Sequence, residues 1–113
     1  MSSTVIDDSL KAFVRSYVNS LVAWAVIVFY HQNPGVRDRI EDLARHLGRR
    51  EEDVERAVEF LTASALLEKN SDGEETVFSY RPEPALKNQV NLFVNALDIR
   101  DLRLWILSEV LGK

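Results

Sequence analysis

Residues 38–67 constrain the chain more than any other stretch, because one hydrophobic pattern is repeated on either side of a single glycine. Ile40, Leu43, Ala44 and Leu47 stand at i, i+3, i+4 and i+7, Gly48 interrupts the run, and Val54, Ala57, Val58 and Leu61 restore the spacing. A period of 3.6 places each set on one face of a helix. The stretch 38–64 is therefore read as two short amphipathic helices joined by a tight turn, each needing cover for its apolar face. Asp38-Arg39-Ile40-Glu41 has the form of a capping box and is expected to open the first helix. Glu51, Glu52 and Asp53 fill the first turn of the second, where exposed N–H groups and the positive end of the dipole favour carboxylates.

The flanks supply the cover. Asp7, Asp8 or Ser9 can cap a helix carrying Leu10, Phe13, Val14, Tyr17, Val18 and Leu21. It is expected over 8–32, straight or bent near Asn19-Ser20, and Asn33-Pro34-Gly35 stops it. From Leu21 onward Trp24, Ile27, Val28, Phe29 and Tyr30 no longer keep to one stripe, so this helix is either central or also meets a partner chain. The apolar run Leu21–Tyr30 falls far short of the roughly 20 residues of a membrane span, and no membrane partner is expected.

Downstream, Leu66-Leu67-Glu68-Lys69, the turn signal Asn70-Ser71-Asp72-Gly73 and the run Thr76–Tyr80 predict a β-hairpin over 66–81. Thr76, Phe78 and Tyr80 share one face, which lays both aromatics on the helices, and Pro82 and Pro84 stop the strand. Helices are expected over 85–111, the first through Leu86, Val90, Phe93, Val94 and Leu97. The last one carries Leu102, Leu104, Trp105, Ile106, Leu107, Val110 and Leu111 beside a narrow polar strip that includes Arg100, Arg103 and Glu109. A terminal segment so apolar predicts a homodimer paired through Leu102, Trp105, Ile106 and Val110. With no repeat and no linker, residues 1–113 read as one domain.

Chemistry-bearing motifs are missing from the sequence. It has no cysteine, so disulfides, thiolate catalysis and cysteine metal sites are excluded, and a reducing cytoplasm is the expected location. The opening Met1–Asp8 lacks the basic and apolar regions of a secretory signal. Glycine-rich phosphate loops, His-Glu-x-x-His and Gly-x-Ser-x-Gly do not occur. His46 lies four residues after Asp42 and reads as a surface pair, not a metal site; His31 sits at a helix C-terminus, where an imidazole suits the dipole. Trp24, Phe29, Tyr30, Phe60, Phe78, Tyr80 and Trp105 read as core aromatics more readily than as a small-molecule pocket. No catalytic residue, cofactor or metal is expected.

A helix, the pair over 38–64 and a following hairpin resemble a winged helix-turn-helix. The resemblance rests on Asp42–Gly48, Val54–Leu61 and Leu66-Leu67-Glu68, covers the middle two-thirds of the chain, and is to small bacterial regulators of the MarR and ArsR kind, many of them dimeric. It implies a mainly α (α+β) fold with a hairpin wing and N- and C-terminal helical extensions. In those regulators the outward side of the second helix enters the DNA major groove and the wing tip tends to be basic. Here that side carries Glu52, Glu55, Arg56 and Glu59, and the wing carries Asp72, Glu74 and Glu75. Residues 49–81 hold five Lys and Arg against nine Asp and Glu, a balance of −4 that equals that of the whole chain. Phosphate neutralisation, the main source of non-specific DNA affinity, is forfeited on such a face. Two readings follow. One is an adaptor or regulatory module that binds a basic protein surface through Glu52, Glu55, Glu59, Asp72, Glu74 and Glu75. The other is a dimeric DNA-binding regulator that places Arg37, Arg39, Arg45, Arg49 and Arg50 on phosphates. Arg49 is expected to pair with Glu52 or Asp53, and Arg50 with Asp53, as helix-surface pairs.

Overall fold

The computed structural model describes residues 6–113. Helix α1 (Asp8–Tyr17) starts where the Asp7 carboxylate accepts the Ser9 N–H at 2.7 Å. Helix α2 (Leu21–Gln32) starts where the Ser20 hydroxyl accepts the Ala23 N–H at 3.0 Å. Residues 18–20 interrupt the helix and the Ser20 cap starts it again, so the expected helix is two helices, bent by 113°. Among the described residues no single helix is long and apolar enough to cross a membrane. α2 is central: Ala23, Val26, Ile27 and Tyr30 are buried where it meets the helices Glu51–Ala63 and Pro84–Ala96 and the sheet.

Strand β1 (Arg37–Asp38) precedes α3 (Ile40–Leu47) and α4 (Glu51–Ala63), and β2 (Leu67–Asp72) and β3 (Glu75–Tyr80) follow. The two helices meet through Leu43, Ala44, Val54, Ala57, Val58 and Leu61, all buried as the spacing requires. Gly48 ends α3 at φ 64°, a conformation open to glycine, and the Arg49 N–H then reaches the Ala44 carbonyl at 3.0 Å. The capping box does not form. Asp38 is paired opposite Phe78 as a strand residue, no side chain caps α3, and Arg39 at the N-cap donates to Asp42 at 3.2 Å. With Asp38 held in the sheet, α3 begins one residue later than the box requires, so Arg39 takes the N-cap and Asp38 stands one position before it.

The sheet order is β1-β3-β2, antiparallel throughout, with Asp72 opposite Glu75 across a two-residue loop that opens on Gly73 at φ 66°. Phe78 and Tyr80 are buried, and the Tyr30 hydroxyl donates to the Phe78 carbonyl at 3.2 Å; Thr76, nearer the tip, is only half-buried. Pro84 in its first turn starts α5 (Pro84–Ala96), and α6 (Arg100–Leu111) completes the chain. The rings of Phe13, Phe93 and Trp24, with centroids 5.3 and 6.0 Å apart in succession, join α1, α5 and α2. α6 lies against α1, held by Arg15 to Glu109 at 2.8 Å and by the Lys113 ammonium, which donates at 2.8 Å to the Val14 and Val18 carbonyls at the end of α1. The result is a mainly α, winged-helix-type α+β fold: a helix-turn-helix of α3 and α4, a wing of β2 and β3, and helical extensions on both sides.

Candidate partner-binding face

Burial of Val54, Ala57, Val58 and Leu61 fixes the rotation of α4 and turns Glu52, Glu55, Arg56 and Glu59 to solvent. The wing folds back beside that face. Between them runs a groove of about 430 Å³, walled by Glu55 and Glu59 of α4, Glu74 and Glu75 of the wing, Lys69 of β2, and Arg39 and Glu41 at the start of α3, over a floor that includes Ile40, Thr76 and Phe78. Five carboxylates face two cations, a balance of −3. Both cations are already engaged: Lys69 with Glu59 at 3.4 Å, and Arg39 with Glu75 at 3.6 Å, Glu41 at 3.8 Å and Asp42 at 3.2 Å. Glu55 and Glu74 form no ion pair among the described residues.

Four of the six acids expected on this face, Glu55, Glu59, Glu74 and Glu75, are thus brought together. Glu52 stands apart, paired to Arg50 at 3.0 Å, and the side chain of Asp72 lies outside the described residues. Arg39, Glu41 and Lys69 are members that sequence reading did not place here. No local pattern announces them, because pairing of β1 on β3 is what carries Arg39 to Glu75.

The arginines do not assemble into one basic patch. Arg37 is exposed on β1, Arg39 lies in the acidic groove, and Arg45 is held by Asp42 at 3.3 Å. Arg39 and Arg45 together hold the Asp42 carboxyl below the usual carboxylate range, the Arg39 hydrogen bond contributing most. Arg50 takes Glu52 and, at 4.0 Å, Asp53, while Asp53 also receives Arg56 at 3.7 Å. The pairing expected of Arg49 is not formed. Its neighbour at the N-cap of α4 occupies those carboxylates, and Arg49 instead lines an apolar groove along α2.

The aromatics are core residues, as expected: Tyr30, Phe78 and Tyr80 are buried, and Trp24, Phe29, Phe60 and Trp105 pack partly against the core, Trp24 and Phe29 also lining that second groove. The pairing face expected on α6 is corrected. Ile106 and Val110, expected on a pairing face, are buried within the chain, and Leu102 and Trp105 are partly buried beside them. The cause is α1, which covers that side of α6. The outward apolar residues of α6 are Leu104 and Leu111. His46, exposed, stacks on Phe29 at 5.9 Å, and the ring of His31 meets the Asn91 amide oxygen at 3.1 Å.

A solved structure described as a possible transcriptional regulator from Methanosarcina mazei Go1 shares this fold. It superposes with a TM-score of 0.59 at 18% sequence identity, over 92% of this chain and 98% of that one. No protein-family model and no curated protein sequence matches the chain. At that identity the likeness is one of fold.

Proposed function

We propose that this chain is a non-enzymatic, cytoplasmic regulatory or adaptor module that binds a protein partner with a basic surface in the groove between α4 and the wing. The charge balance of the groove carries this reading: five carboxylates against two engaged cations, with Glu55 and Glu74 free to receive a lysine or arginine. Exposed pairs such as these contribute little each, so pair strength does not decide the matter. The summed field does, because it draws cations to the groove and repels phosphates. Arg39, Arg45 and Arg50, which a DNA-binding role would need, are each engaged by at least one carboxylate.

A DNA-binding regulator is the second reading. It is favoured by the helix-turn-helix and by Arg37 and Arg49, which form no ion pair among the described residues. The description of the Methanosarcina mazei Go1 structure as a possible transcriptional regulator suits a regulatory role of either kind.

Anisotropy of a labelled peptide rich in lysine and arginine tests the first reading. Saturable binding is expected, weakening as salt is added and falling by about tenfold or more in the Glu55→Lys/Glu74→Lys variant. Equal affinity in the variant, or indifference to salt, would remove the groove as the binding face.

A further inference from the structure

We infer that the apolar groove along the outer side of α2 receives a second copy of this chain, whose α6 inserts a ridge of leucines. The groove is about 460 Å³, walled by Leu21, Trp24, Val28 and Phe29 of α2, by Leu47 before the turn and by Leu107 of α6. Its α2 positions run from Leu21 to Gln32, roughly 16 Å at the helical rise. It is open to solvent along one side, whereas small-molecule sites enclose most of their ligand. An occupant of the right form is a helix with its own apolar ridge.

Such a ridge stands next to the groove. Leu104 and Leu111 of α6 are 48% and 63% exposed, and Leu107 lies between them, so the three fall at i, i+3 and i+7 over roughly 10 Å. Leu107 belongs to both ridge and groove, which puts the two on one surface. A two-fold dimer requires such a self-complementary patch, in which the ridge of each copy fills the groove of the other.

Charge points the same way. On a chain of net charge −4 the acidic faces repel one another, but the lining of this groove contains no carboxylate and one cation, Arg49. The acidic groove and the apolar groove have no lining residue in common. A dimer built this way leaves both acidic grooves open and presents them in pairs, which would raise avidity for a partner with two basic segments. The inference stands whether or not the acidic groove binds a protein.

Light scattering coupled to size exclusion tests it on the full chain. At micromolar concentration the mass is expected near twice 12.9 kDa. Leu104→Glu/Leu111→Glu alters exposed positions and is expected to give the monomer mass with an unchanged far-UV circular dichroism spectrum and a melting temperature that no longer depends on protein concentration. Ala25 of α2 also lines the groove, and Ala25→Arg, which fills it from that side, is expected to do the same. A monomeric unmodified chain, a mass above the dimer, or a dimer that survives both variants would overturn the assignment.

Discussion

Asp38 brings a carboxylate into the junction of β1, α2 and α3, where one of its oxygens is buried without a hydrogen-bond partner. Burial raises its pKa above the ordinary 3.8; the charge of His46 opposes the rise and Asp42 adds to it. A carboxyl shifted upward in the folded state costs nothing while both states are protonated, and stability is lost as pH climbs through the folded-state pKa. Asp38→Asn is therefore expected to unfold at a higher urea concentration than the unmodified chain at pH 7. The gain should fade as pH falls toward 3.8, and a variant less stable at pH 7 would contradict this account of the site. Asp42 behaves in the opposite sense. Its carboxyl is held low by Arg39, so its contribution is present above the ordinary value and disappears only as pH falls through the lowered one.

Element ends show the same conflict between local preference and packing. α4 terminates with Ala65 at φ 65°, the Leu66 N–H bonded to the Leu61 carbonyl and the Ala65 N–H to the Thr62 carbonyl, both at 3.0 Å. That is the arrangement in which glycine is favoured, as Gly48 is at the end of α3. It persists because it folds Leu66 under Leu61, where both are buried, and sends β2 back along α4. Ala65 is exposed and its Cβ serves no packing, so Ala65→Gly is expected to stabilise the chain by about 1 kcal/mol in denaturant titrations. What was legible in the sequence follows the same division. α3, α4 and the hairpin could be read because their signals are local: two periods of 3.6, one glycine and one alternating run. The strand at Asp38 could not, since the partner that overrides its capping box, Phe78, lies forty positions on. Periodicity showed that α6 is apolar on most sides but not which side α1 takes, which is why Ile106 and Val110 were misplaced. The outward acids of α4 were readable from the helical period, whereas Arg39, Glu41 and Lys69 reach the groove only through tertiary pairing.

Across the whole molecule, charge and apolar surface are segregated. Acids gather where α4 meets the wing, leucines and aromatics gather between α2 and Leu107 of α6, and Arg49 stands at the edge of the second site. A winged helix whose second helix and wing are acidic keeps the fold's geometry, and under the function proposed above the ligand it takes is basic and not a phosphate backbone. The most direct test is an anisotropy titration of random-sequence duplex DNA at low salt, where non-specific affinity is at its greatest. No saturable binding is expected up to tens of micromolar protein. Micromolar binding that falls steeply with added salt and is lost in Arg37→Ala/Arg49→Ala would contradict the account.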